Sequence, residues 1–187
     1  LKAGEFYNDV AGFYDEYYSD PDSKMENKAI QEILTPFLSK GDFIIDIGCG
    51  TGLFLELFNH IPMYYVGVDP SAEMLKHFER KFPHRPTFNL PYEKFDHYKL
   101  PRIAIGLFAS PGYVSPAHLD PTEYMGHFLM FYRDGFRPGY YNRENPETKT
   151  YSVWDYNLSE SNVYQFNDFE IATNWELKPH FLLKRIK

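Results

Sequence analysis

Phe43-Ile44-Ile45-Asp46-Ile47-Gly48-Cys49-Gly50-Thr51-Gly52 is the stretch that decides the fold. Its first half is almost continuously apolar, which suits a strand buried on both faces of a parallel sheet. Its second half alternates glycine with small residues, so the backbone there can take positive φ and approach a ligand closely. Leu53, Phe54, Leu57 and Phe58 then repeat at helical spacing. The turn therefore opens a helix whose first N–H groups have no intrahelical partner and suit an anionic group. In a doubly wound sheet this junction lies at the carboxyl edge of the strands, where ligands bind. The spacing excludes two common ligand loops. A G-x-G-x-x-G turn needs glycine at 53, where Leu53 stands, and the G-K-[ST] of a phosphate loop is absent.

The flanks extend the pattern. A second apolar strand over 64–68 ends at Asp69, and Met74, Leu75, Phe78 and Phe82 mark the inner face of a helix over about 71–82. Strand, helix, strand, helix implies right-handed parallel crossovers. Short or buried strands follow near 87–89, 103–108 and 128–132. Segments 168–172 and 181–186 read as a closing antiparallel pair. Upstream, Phe6, Tyr7, Val10, Phe13, Tyr14, Tyr17 and Tyr18 share a helical face. Asp20-Pro21-Asp22 breaks that helix, and Ser23 with Glu26 reads as a capping box for the next. The expected architecture is α/β: a doubly wound, mostly parallel sheet with a closing antiparallel C-terminal strand pair and an N-terminal helical lid. Residues 1–40 form the lid or appendage and 41–187 the main unit.

Composition narrows the class. At about 150 residues per domain, 187 residues suit one globular unit. The single cysteine, Cys49, excludes an internal disulfide and a multi-cysteine metal site, and no paired His–carboxylate cluster suggests a metal. The net charge of −7 argues against nucleic acid as a partner. No apolar run approaches the ~20 residues of a membrane span, and LKAGEFYNDV shows no signal peptide, so a cytoplasmic protein is expected. The start lacks Met, which leaves the completeness of the N-terminus open. Aromatic residues are unusually frequent, at 19%. They concentrate in residues 6–18 and 124–169, flanking the glycine turn rather than belonging to it.

The pattern Asp46-x-Gly48-x-Gly50-x-Gly52, followed by Gly67-Val68-Asp69-Pro70-Ser71-Ala72-Glu73-Met74-Leu75, resembles the first two motifs of the class I S-adenosylmethionine-dependent methyltransferases. These have a Rossmann-like fold. The resemblance implies a cofactor, S-adenosylmethionine, whose product is S-adenosylhomocysteine. It assigns Asp69 to the ribose, Pro70 and Met74 to the adenine wall, and Gly48, Cys49, Gly50 and Gly52 to the methionine side with Asp46. By the same match Asn89 and Leu90 meet the adenine edge, Phe108 lies beneath the methionine moiety, and Tyr14 belongs to a lid over the cofactor. Tyr18, Tyr113 and His118 are candidates for the acceptor pocket.

The sulfonium is already an activated leaving group, so such sites need alignment and dryness more than a fixed base. No residue is named catalytic. Cys49 lacks a positioned base, and Ser110 lacks the glycine two residues earlier that a hydrolase elbow needs. His118 and His127 read as surface or core histidines before they read as bases. The expected activity is methyl transfer to a small-molecule acceptor. The acid-rich, Tyr-rich arm adds a weaker expectation of a cationic or amine acceptor. Two rivals keep the cofactor: aminopropyl transfer or sulfonium rearrangement, and a non-catalytic sensing or partner-binding module. Monomer and homodimer stay open.

Overall fold

A computed structural model of the chain describes residues 2–96, 103–108, 110–119, 126–132, 138–144, 147, 149–156, 170–172 and 180–186. Seven strands form the main sheet: β1 (Phe43–Ile47), β2 (Tyr64–Val68), β3 (Thr87–Phe88), β4 (Ile103–Gly106), β5 (Gly126–Tyr132), β8 (Glu170–Ala172) and β9 (His180–Ile186). Their order is β3-β2-β1-β4-β5-β9-β8. The first five are parallel, and β9 runs antiparallel to both β5 and β8. The Rossmann-like architecture expected from the sequence is the one observed, closing antiparallel pair included. The expected pair began at 168, and residues 168–169 lie outside the described residues. The sequence pattern left one element unresolved: β6 (Gly139–Glu144) and β7 (Thr150–Asp155) form a separate antiparallel pair.

β1 sits between β2 and β4, so the chain leaves it toward one side and later returns on the other. This reversal of strand order opens a crevice at the carboxyl ends of β1 and β4. Both faces of β1 are covered, as its apolar run requires. Ile44 joins a core cluster with Ala29, Ile30 and Leu34 of α3 (Pro21–Leu34) and Phe54 and Phe58 of α4 (Leu53–Phe58). Ile45 and Ile47 join the cluster on the opposite face with Val68, Leu129 and Phe131. Full burial of side chains such as Phe54, Phe58 and Phe78 contributes roughly 1.5–3 kcal/mol each. Part of the aromatic surplus is spent here. The Tyr65 ring lies between Phe54 and Phe78, nearly parallel to both at 6.1 and 5.8 Å.

The N-terminal arm forms α1 (Lys2–Val10) and the short α2 (Tyr14–Tyr17) ahead of α3. The α3 cap differs from the expected Ser23–Glu26 box. Asp20 is the capping residue: its carboxylate accepts from the Ser23 amide at 3.0 Å, and Pro21 occupies the first helical position. Glu26, freed from capping, is buried one turn along and meets His180 Nδ1 of β9 at 2.7 Å. That pair fastens the arm to the antiparallel edge of the sheet.

Candidate active site

The chain leaving β1 turns with positive φ at Gly48 (68°). A side chain there is excluded twice, by backbone conformation and by space, since a Cβ would stand 2.5 Å from the Ser110 Cβ. Ser110 Oγ in turn donates to the Ile47 carbonyl at 2.6 Å. The segment after β4 is thereby pinned against the glycine turn. Asp69 leaves β2 beside it. One of its oxygens accepts from the Gly50 amide at 2.9 Å and the other from the Ser71 amide at 2.8 Å. Each oxygen keeps a second lone pair. Among the described residues no cation pairs with Asp69, and burial pushes its pKa up to about 6 despite the two amides.

Asp46 lies deeper. Burial pushes its pKa up to about 7, opposed by the Tyr65 hydroxyl that donates to it at 2.8 Å, with the Asp69 charge adding to the rise. Burial also raises the Cys49 thiol well above its ordinary value, which keeps it protonated and removes it as a nucleophile. Asp46, Cys49 and Asp69 line a cavity of about 310 Å³ at the mouth of the crevice.

The lid closes this cavity through bonds made far apart in sequence. Asn8 Oδ1 of α1 accepts from Ser71 Oγ at 2.8 Å and from the Glu73 amide at 3.1 Å. It thus caps the start of α5 (Ala72–Lys81), where Ser71 already accepts from the Met74 amide. Gly4 packs so tightly on Pro70 that a Cβ would lie 2.9 Å from the Pro70 oxygen. At the next turn, Thr51 Oγ1 donates to Asp15 at 2.5 Å, and Lys81 bridges Asp15 and Glu56. Tyr151 of β7 donates to Asp9, so the β6–β7 pair holds the outer face of α1.

Five rings form a continuous arc on the cavity wall. Phe108 meets Tyr18 (6.0 Å between centroids), Tyr18 meets Tyr14 (4.9 Å), Tyr14 meets Tyr7 (6.1 Å) and Tyr7 meets Tyr113 (6.1 Å). Three rings come from the lid and two from the segment after β4. Phe108 holds φ of 47°, the one positive value outside glycine among the described residues. Strain of this kind gathers at functional sites.

Of the residues singled out from sequence, Tyr14, Tyr18, Asp46, Gly48, Cys49, Gly50, Asp69, Pro70, Met74, Phe108 and Tyr113 all line this cavity. Four do not. Gly52 caps α4 and faces the Phe78 and Phe82 rings instead. Asn89 spends its amide on the Asp69 carbonyl at 3.1 Å, and Leu90 packs into the core cluster behind. The wall is taken over by Pro91, Tyr92 and Glu93, one to three residues later. His118 is exposed on α6 (Pro116–Leu119), off the cavity. His127 is buried on β5 beside Arg185. Sequence spacing gave no sign of Ala3, Gly4, Asn8 or Asn27. Only the helical stripe through Tyr7 pointed to that face of the arm.

Comparison with known proteins bears on the central segment. Residues 44–108 match the methyltransferase domain model. Over that segment the chain belongs with the methyltransferase domains. Curated relatives of the methyltransferase domain include the ubiquinone/menaquinone biosynthesis C-methyltransferase UbiE of Campylobacter jejuni, 31% identical over 90 residues, covering 42% of this chain and 38% of the relative. Another is the dTDP-3-amino-3,4,6-trideoxy-alpha-D-glucopyranose N,N-dimethyltransferase of Streptomyces venezuelae, 25% identical over 133 residues, covering 70% and 54%. The chain spans between about a quarter and a half of the length of the curated relatives it matches. The methyltransferase fold is shared with the DhpI–SAM–HEP complex at a TM-score of 0.70 and 12% identity, over 96% of this chain and 94% of that one.

The family depends on S-adenosylmethionine, and the residues present fit it. Asp69 offers a buried carboxylate with spare lone pairs, Gly48 leaves the backbone bare, and the lining within the cavity holds Met74 and Pro70 beside Asp69. Among the described residues no cluster of His, Cys, Asp and Glu is arranged for a metal ion. No helix among them is long and apolar enough to cross a membrane.

Proposed function

We propose that this chain catalyses methyl transfer from S-adenosylmethionine to a small-molecule acceptor. The observation that carries the reading is the buried Asp69, paired with no cation among the described residues, facing the glycine turn inside a lidded cavity. When bound, the cofactor supplies an activated methyl group on sulfur. The residues of the chain bind, orient and exclude water. Asp69 in its ionised form accepts from the two ribose hydroxyls. Pro70 and Met74 flank the adenine, with Pro91 and Tyr92 following where Asn89 and Leu90 were expected. The bare backbone at Gly48 and Gly50 admits the methionine part. The lid shields the reacting centre, and Phe108, Tyr18 and Tyr113 wall the side where an acceptor sits in line with the methyl.

The small-molecule class is supported by the confined scale of the cavity, about 310 Å³ for cofactor and acceptor together, bordered by residues of α1 and α2. The relatives named above include methyltransferases whose names give a quinone-pathway and an amino-sugar acceptor, which agrees with that scale. Incubation with labelled S-adenosylmethionine and an acceptor library tests the reading. Label should appear in an acceptor with stoichiometric S-adenosylhomocysteine. Cofactor turnover without methylated product would contradict it.

A further inference from the structure

The cavity has a chemical bias that bears on the acceptor as well as on the cofactor. Among the described residues lining it there is no Lys, Arg or His. Carboxylates are present: Asp46, Asp69 and Glu93 join Asp15 and Glu56, of which the last two are tied to Lys81. A phosphate, carboxylate or sulfonate acceptor would find no positive side chain on this wall to hold it. The five-ring arc offers the opposite chemistry, since aromatic faces attract cations. Burial, with the neighbouring phenols adding to it, raises the Tyr7 hydroxyl well above its ordinary value, and Tyr18 shifts the same way. Both stay protonated and neutral.

A second observation comes from the lid helix α3. Asn27 lines the cavity, and its Oδ1 is buried with no hydrogen-bond partner among the described residues. A buried carbonyl oxygen left unpaired costs about 1–3 kcal/mol. An N–H donor on a bound molecule removes that cost.

We propose that the acceptor is an amine, held against Tyr7, Tyr14, Tyr18, Phe108 and Tyr113 with an N–H donated to Asn27 Oδ1. This rests on the methyl-transfer reading above and names its substrate class. The charge balance agrees. The lone pair of the neutral amine forms the new N–C bond, the C–S bond breaks, and its electron pair stays on sulfur. The positive charge passes from sulfonium to ammonium, and the surplus proton leaves to water. The cavity thus holds one positive charge up to and through the transfer, until that proton leaves, and a wall of carboxylates and ring faces suits it.

The test uses the full chain loaded with S-adenosylhomocysteine and three probes of similar shape: tert-butylammonium, tert-butanol and pivalate. The ammonium should bind about tenfold tighter than the alcohol, with no saturable pivalate binding. Asn27→Ala should weaken the ammonium about fivefold or more while S-adenosylhomocysteine affinity stays put and the melting temperature does not fall. Equal or tighter binding of pivalate or the alcohol overturns the amine proposal. So does ammonium binding that is absent or indifferent to Asn27→Ala. A chain that fails to bind S-adenosylhomocysteine overturns the methyl-transfer reading first, and the amine proposal with it. A chain that binds it and prefers pivalate loses the amine proposal alone.

Discussion

The two walls of the cavity are made by different means. The glycine-turn wall is local and built largely of backbone: Gly48, Gly50, the Gly50 and Ser71 amides, and a single carboxylate, Asp69, all within 24 residues. The lid wall is made of side chains brought from afar. Asn8 reaches Ser71, Tyr7 meets Tyr113, and Glu26 meets His180 across 154 positions. Backbone contacts tolerate changes of side chain, and so they can serve one invariant ligand. Side-chain walls can be rebuilt residue by residue, which suits the part of the site that selects an acceptor.

This contrast can be broken at several points. The largest effect on stability is expected at Glu26→Ala, which leaves His180 without its buried carboxylate. Losing one partner of this buried hydrogen bond costs about 1–3 kcal/mol, to be read from denaturant unfolding. If stability barely moves, the arm is not held by that pair. Gly48→Ala should abolish measurable cofactor binding, because it forces both a left-handed backbone and a clash with Ser110. Wild-type affinity in that variant would show that the turn relaxes freely.

The pH dependence has two opposite signs. Asp69 and Asp46 have folded pKa values of about 6 and 7 against an ordinary 3.8. The folded protein binds more protons than the unfolded chain in that range. Their contribution to stability without ligand is therefore full below about pH 4 and is lost as pH rises through about 6 to 7. Cofactor binding needs ionised Asp69, so affinity should fall as pH drops through about 6, at up to tenfold per unit. Calorimetry at pH 5, 6 and 7.5 and thermal melts of the unliganded chain separate the two trends. The smallest effect is expected at the lid clip. Thr51→Val removes the hydroxyl bond to Asp15 and should speed cofactor release by about tenfold or less, measured by stopped flow.

The same contrast explains what the sequence revealed. The strand–turn–helix junction, Asp69 and Met74 were legible because each is fixed by neighbours a few positions away. The parallel core was legible because β1, β2 and β5 are apolar on both faces. The lid was visible as a helical stripe, but its contacts were not. Nothing near Asn8 in sequence indicates that its oxygen caps α5, and nothing near Asn27 marks it as a cavity residue. Ser23 and Glu26 fit a capping pattern locally, yet Asp20 does that work and Glu26 is taken by β9. Asn89 was placed by a motif match alone: the short β3 brings its Nδ2 to the Asp69 carbonyl, and the cavity lining there comes from Pro91, Tyr92 and Glu93. The β6–β7 pair escaped because its alternating pattern does not say whether a strand joins the main sheet.

Calorimetric titration of S-adenosylmethionine into the wild-type chain and into Asp69→Ala at pH 7.5 tests the central claim most directly. Two charge-assisted hydrogen bonds are at stake, at about 1.5–3 kcal/mol each, so the variant should bind at least about a hundredfold more weakly. Equal affinity in the two proteins would contradict the account.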